Sequence, residues 1–271
     1  MQTFIEFLKY LFVGIIQGIT EPLPISSSGH LVIVQTFLNI PSMDLFLEIT
    51  LNFASFIAVV ILFREKIMAL VRGNYLYIFK KDSKYKKDFD YAWLILIGVL
   101  PAGLIGLVFR DLFDGFLTLL SVGISLLITG TFLLIVQSKS TNNQRNDLNY
   151  KDALFIGFFQ VFALIPGISR SGSTFIGGLF RKIRFVDVIE FSFMMYIPIS
   201  IATMALEVIR FNGLNGVPLI NIIGAFTMSL IFTYLAFKWF IYMVREGNLK
   251  YFGFYCFIVG ALSIIIYFFE V

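Results

Sequence analysis

Two short stretches of this 271-residue chain carry residue types able to do chemistry. The first reads QGITEPLPISSSGH over residues 17–30, and the second reads LIPGISRSGST over residues 164–174. In the first, Pro22 and Pro24 must end an incoming helix, because each lacks an N–H and restricts the residue before it. Ser26, Ser27 and Ser28 then stand where a new helix begins, with hydroxyls able to cap it and backbone N–H groups left unpaired. In the second, Pro166 and Gly167 stop one arm and the residues from Ser169 to Thr174 open the next. A helix start presents partial positive charge and free N–H donors, so two such starts brought together form an anion site.

The side chains indicate which anion. Arg170 offers a planar fork of donors suited to phosphate, and Ser169, Ser171, Ser173 and Thr174 add neutral donors without competing negative charge. Phosphate fits this set better than carboxylate, which cannot accept so many converging donors. On the other break, His30 is the only histidine of the chain. It stands three residues beyond Ser27, a spacing that puts both on one face of the new helix, with Glu21 nearby in sequence. A serine, an imidazole and an acid beside a phosphate are the parts of hydrolysis. Gln17 precedes Glu21 by one helical turn and no second carboxylate lies in the first break. A wholly protein-made metal cage is therefore not expected, whereas Mg2+ or Ca2+ shared between Glu21 and substrate oxygens is.

These residues must be positioned by membrane helices. The chain is 58% hydrophobic and only 14% charged, against roughly a quarter charged for a soluble domain. A net charge of +4 is too small a surplus to suggest nucleic acid and matches basic bias in cytoplasmic loops. The lone cysteine, Cys256, excludes a disulfide framework and a cysteine metal site within one chain. Glu6 precedes the first base, Lys9, so the N-terminus does not read as a removable signal peptide.

Six apolar stretches are long enough to cross: 46–63, 92–109, 116–137, 189–209, 219–244 and 251–269. Residues 3–38 and 153–180 differ, each being an apolar arm, a Pro/Gly/Ser-rich break and a second arm too short to cross. Both read as re-entrant helical hairpins with the break at membrane depth. At that depth Ser and Gly ordinarily mean close helix packing. Glu21, His30 and Arg170 are costly there, and intramembrane ionisable residues mark function by default.

With a shift of 143 residues, Phe12, Gly14, Gln17, Ile25, Ser26, Ser28 and Gly29 fall on Phe155, Gly157, Gln160, Ile168, Ser169, Ser171 and Gly172. Glu48 and Glu190 each open the span that follows. Each half, about 1–140 and 150–271, is one hairpin plus three crossings, and an odd number of crossings inverts the second half. The expected fold is thus an all-α polytopic membrane domain of six transmembrane helices and two re-entrant hairpins in an inverted repeat. Placing loops 64–91, 138–152, 181–188 and 245–250 in the cytoplasm puts sixteen of the 21 Lys and Arg there, with Lys9, Arg110 and Arg210 opposite and both termini outside. Loop 64–91 reads as a solvated loop touching anionic lipid.

The two breaks resemble those of the undecaprenyl-diphosphate phosphatases of bacterial membranes, also called bacitracin-resistance proteins. Gln17-Gly18-Ile19-Thr20-Glu21, continuing into PLPISSSGH, is similar to their Glu/Gln-x-x-x-Glu motif. Pro166 to Thr174 is similar to their Pro-Gly-x-Ser-Arg-Ser-x-x-Thr motif. Segments such as IAVVILF, IGVLPAGLIGLVF and EFSFMMYIP extend the likeness across nearly the whole chain. The resemblance implies removal of the terminal phosphate from the C55 lipid diphosphate, in the plasma membrane, with a divalent metal and a site opening to the outer face. It implies catalytic roles for Glu21, Ser27, His30 and Arg170. Gln17, Ser26, Ser28, Ser169, Ser171, Ser173 and Thr174 would lie around the phosphates. Asn52 stands where such proteins often carry His or Gln, at a peripheral polar contact.

Two other classes stay open on the residues alone. A transporter or flippase for an anionic lipid or organophosphate would use the same repeat and midplane anion site. A scaffold without chemistry would leave Glu21, His30 and Arg170 as unexplained costs. The expected partners are a polyprenyl diphosphate and membrane lipid, with a homo-oligomer left open.

Overall fold

In a bilayer every backbone polar group must be satisfied within its own segment, and most of the described residues answer by being helical. A computed structural model describes residues 2–38, 40, 45–113, 118–139, 145–209, 217–246 and 248–270. Among these the α-helices are α1 (Gln2–Thr20), α2 (Ser27–Leu38), α3 (Leu45–Lys80), α4 (Lys86–Phe113), α5 (Leu119–Lys139), α6 (Tyr150–Val161), α7 (Arg170–Phe180), α8 (Phe185–Ile209), α9 (Leu219–Arg245) and α10 (Lys250–Glu270). One isolated bridge, Arg145 with Ile183, is the only β pairing among the described residues.

Among the described residues seven helices are long and apolar enough to cross a membrane. Six of them, α3, α4, α5, α8, α9 and α10, take up the six expected stretches, the third from Leu119 onward. The seventh is α1, the first arm of the hairpin expected over 3–38. Residues 116 and 117 of the third stretch, residues 140–144 of an expected loop, and Arg210 lie outside the described residues.

The expected loop 64–91 is instead mostly helix. Apolarity falls after Phe63, yet nothing between Arg64 and Lys80 breaks a helix, so α3 continues past its apolar stretch to Lys80. A short 3-10 turn capped by Asp82 reverses the chain into α4. The two extensions pack at Gly73, where a Cβ would stand 2.4 Å from the Asp88 carboxylate, and Tyr77 lies against Phe89 at 4.7 Å between ring centroids.

Helix packing uses small residues, as expected where lipid removes the usual hydrophobic drive. α1 lies along α9 and α6 lies along α4. At the first contact a Cβ on Gly14 would sit 2.2 Å from the Ala225 carbonyl oxygen, and at the second one on Gly157 would sit 2.3 Å from that of Gly98. α5 and α10 run against each other with Gly123 on Gly260 and Gly130 on Gly253.

The end of the α6–α7 pair where α6 begins and α7 finishes is clamped by charge. Asp152, wholly buried in the first turn of α6, accepts from Arg145 Nη2 at 2.5 Å and from Arg181 Nε at 2.7 Å. Burial works to raise its carboxyl. The hydrogen bonds from the two arginines and from the Asn149 amide outweigh that and hold it below the ordinary carboxylate range. The clamp therefore stabilises fully above that range and is lost as pH falls through the depressed value. Asp152→Asn is expected to cost about 1–3 kcal/mol, less than a fully buried pair because both arginines are partly exposed. A melting-temperature drop that shrinks on acidification, measured in detergent, is the check.

Candidate active site

Each break is a helix stop followed directly by a capped helix start. α1 ends at Thr20, with the Glu21 N–H donating to the Gln17 carbonyl at 3.0 Å. Pro22 and Pro24 then carry the chain to Ser26, which turns it with φ of 68°. The Ser26 hydroxyl accepts from the Gly29 N–H at 3.2 Å as α2 begins. In the second break Gly167 has φ of 87°, and a Cβ there would also stand 2.9 Å from that of Ser125, so the position demands glycine twice over. Ser169 caps α7 by accepting from the Gly172 N–H at 3.0 Å. The hydroxyls pair alike on both sides, Ser26 with Ser28 at 3.3 Å and Ser169 with Ser171 at 3.2 Å.

The two starts meet at Glu21. Arg170 Nη2 from α7 donates to Glu21 Oε1 at 2.5 Å, although the residues are 149 positions apart. Ser27 Oγ donates to Glu21 Oε2 at 2.5 Å, and Gln17 Nε2 donates to the same oxygen at 3.1 Å. Gln17 Nε2 also reaches Asn52 Oδ1 at 3.2 Å. The Arg170 guanidinium lies 3.8 Å from the centre of the Tyr196 ring, and Ser171 Oγ donates to the Leu23 carbonyl at 2.9 Å. Apart from Leu23, these residues line a cavity of about 260 Å³ together with Ser26, Ser28 and Ser169.

Three of the expected site residues stand off the cavity. Both ring nitrogens of His30 are engaged elsewhere, Nδ1 with the Ser26 carbonyl and Nε2 with the Tyr255 hydroxyl, each at 2.7 Å. The shared helix face does not bring His30 to Ser27, because the ring reaches back one turn and outward to α10. Ser173 donates to the Ser169 carbonyl at 2.9 Å and faces a separate apolar cavity of about 170 Å³. Thr174 donates to the Arg170 carbonyl at 3.1 Å and accepts from Ser192.

The cavity also recruits residues that no motif marked. Glu48, Tyr196, Ser200 and Thr203 line it. Glu48 carried a signal as an acid opening a span, but it read as a marker of the repeat. Tyr196, Ser200 and Thr203 recur at helical spacing on α8, a polar stripe legible only once the neighbour of that face is known.

A phosphate entering this space meets a guanidinium, two helix starts and a row of hydroxyls, while the carboxylate holding Ser27 is placed to take its proton. Among the described residues no cluster of three or more His, Cys, Asp or Glu could hold a metal. One observation favours a shared cation. Gln17 Oε1 is buried beside Glu21 with no partner among the described residues, while the amide nitrogen is committed to Glu21 and Asn52. Such an orphaned acceptor suits a hard cation completed by substrate oxygens.

Residues 10–262 match the model of the family described as bacitracin resistance protein BacA. The chain belongs to that family. It is similar over 98% of its length to a protein of Bacillus thuringiensis (strain Al Hakam) named undecaprenyl-diphosphatase 2, at 40% identity and with 99% of that relative covered. A relative from Oceanobacillus iheyensis named undecaprenyl-diphosphatase is 36% identical over 97% of this chain and 98% of its own. One from Halalkalibacterium halodurans named undecaprenyl-diphosphatase 1 is 38% identical over 94% of each. The match spans both breaks and every crossing helix.

Proposed function

We propose that this BacA family member hydrolyses undecaprenyl diphosphate to undecaprenyl phosphate and inorganic phosphate, recycling the lipid carrier of cell-wall synthesis and thereby opposing bacitracin. The observation that carries the reading is the meeting of Ser27, Glu21 and Arg170 in one cavity between two helix starts. Arg170 leaves Glu21 to grip the terminal phosphate in its fork. Ser27 Oγ attacks phosphorus, its proton passes to Glu21, and the P–O bond to the lipid phosphate breaks. Water then releases phosphate from the serine by the reverse proton route. Glu21 and Gln17 Oε1 would hold Mg2+ or Ca2+, which when bound neutralises diphosphate charge. A transporter needs the anion donors but has no use for a carboxylate bonded to a hydroxyl.

The membrane setting of this reading is a bacterial plasma membrane with both hairpins turning back inside it. Lys9 Nζ donates to the Leu38 carbonyl at 2.5 Å, so the end of α2 lies level with Lys9. From that level both arms run about twelve residues, or about 18 Å, to the break, near the middle of a bilayer core of about 30 Å. The pairings α1 with α9 and α4 with α6, and α3 with α4 and α8 with α9, exchange when the halves are exchanged, which supports a repeat of the two halves. The cavity extends to Glu48 in the first turn of α3 and to Met204 near the end of α8. That is the side away from the basic extension of α3 and α4, so an outward opening follows from basic loops lying inside.

Purified protein in detergent is expected to release phosphate from a polyprenyl diphosphate, to lose that activity with a chelator and to regain it with Mg2+ or Ca2+. No release under any metal would overturn the hydrolase reading. Full activity in chelator would overturn the cation alone.

A further inference from the structure

Ser26 is a non-glycine residue held at φ of 68°, a left-handed conformation that its Cβ disfavours. Something must over-determine it, because this turn sets the direction in which the next residue, Ser27, points. Besides the Ser28 hydroxyl at 3.3 Å, three interactions converge on it. Its hydroxyl caps Gly29, its carbonyl accepts the His30 backbone N–H at 3.2 Å, and the same carbonyl accepts from His30 Nδ1 at 2.7 Å. A carbonyl can only accept, so the proton sits on Nδ1. In a neutral ring Nε2 is then an acceptor, filled by the Tyr255 hydroxyl at 2.7 Å. The Tyr255 ring lies nearly parallel to the imidazole, at an interplanar angle of 8°.

The second break supplies an internal control. Shifted by 143 residues, His30 falls on Ser173, whose hydroxyl donates to the Ser169 carbonyl just as the imidazole donates to that of Ser26. There Ser169 has an ordinary φ of −68°, and a short hydroxyl suffices. Only the strained turn, the one carrying Ser27, has an imidazole buttressed from a distant helix.

We propose that Tyr255 is a positioning residue: its hydroxyl locks His30 as the Nδ1–H imidazole, whose bond to the Ser26 carbonyl holds the turn that aims Ser27 at Glu21. Tyr255 does not line the cavity and acts through His30 and Ser26. The role in turnover rests on the hydrolase reading; the tautomer does not.

Because His30 is the only histidine, protein labelled with 15N-histidine reports one imidazole, with no substrate required. The native protein is expected to show a single neutral tautomer protonated at Nδ1. Tyr255→Phe, which removes one oxygen and keeps the ring, is expected to show a mixture of tautomers. A native proton on Nε2, or an unchanged spectrum in Tyr255→Phe, would overturn the lock whatever the enzyme does. In turnover, Tyr255→Phe is expected to lose about fivefold in kcat, the scale of one neutral hydrogen bond, with KM unchanged. A changed spectrum with unchanged kcat would overturn the link to Ser27, and a loss confined to KM would assign the hydroxyl to substrate instead.

Discussion

Arg170→Lys is expected to leave less than about a hundredth of the turnover, a barrier increase of at least about 2.7 kcal/mol. Lysine keeps the charge, so Glu21 is not left as an unpaired carboxylate and the fold is not the cause of the loss. What disappears is geometry. The guanidinium lies 3.8 Å from the centre of the Tyr196 ring while one nitrogen reaches Glu21, and the side chain lines the cavity. An ammonium is a point charge that cannot stack on the ring and grip two phosphate oxygens together. Loss of one preorganised donor at a developing charge costs about a hundredfold to a thousandfold. Phosphate release from a polyprenyl diphosphate, with a thermal melt as folding control, measures it. Near-normal turnover in the lysine variant would mean that Arg170 serves only to pair Glu21.

Ser27→Ala is expected to be more severe, with kcat reduced at least about a thousandfold, because it removes the attacking atom. The competing account gives Ser27 only a phosphate contact and lets a metal-polarised water attack. Both accounts predict loss in Ser27→Ala and they separate on trapping. Acid quench of the native enzyme turning over labelled substrate should yield phosphoserine at position 27 if Ser27 attacks, and none if water does. The bond from Ser27 to Glu21 at 2.5 Å favours attack, since the proton acceptor is already in place. If Ser27→Ala kept more than about a tenth of the rate, a barrier change below about 1.4 kcal/mol, the nucleophile role would be untenable. Glu21, rather than His30, is the base in this scheme, because both imidazole nitrogens are spent on Ser26 and Tyr255.

The apolar stretches, the prolines and the serine caps were legible one segment at a time. Helix length follows from apolar length, except where a helix continues past its most apolar stretch, as α3 does from Arg64 to Lys80. Pro22, Pro24 and Pro166 announce the ends of the first arms, and Ser26 and Ser169 announce the starts of the second. Arg170, Glu21 and Ser27 stood out because charge and repeated hydroxyls are costly in such surroundings. The likeness of the two breaks was readable as identical residues at a constant shift.

What the sequence by itself determined is therefore local: where helices stop and restart, which ends carry donors, and that a phosphate suits them. Those properties depend on each residue and its near neighbours along the chain. Only the tertiary structure decided which groups meet. It joined Arg170 to Glu21 across 149 positions and His30 to Tyr255 across 225. It also brought Glu48 and Tyr196 to the cavity and turned Ser173 and Thr174 away from it. A helix periodicity says which residues share a face, but the direction of that face is set by the neighbour it packs against. Here Gly14 on Ala225 and Gly157 on Gly98 let the backbones approach closely, and that approach fixes the rotation of each hairpin.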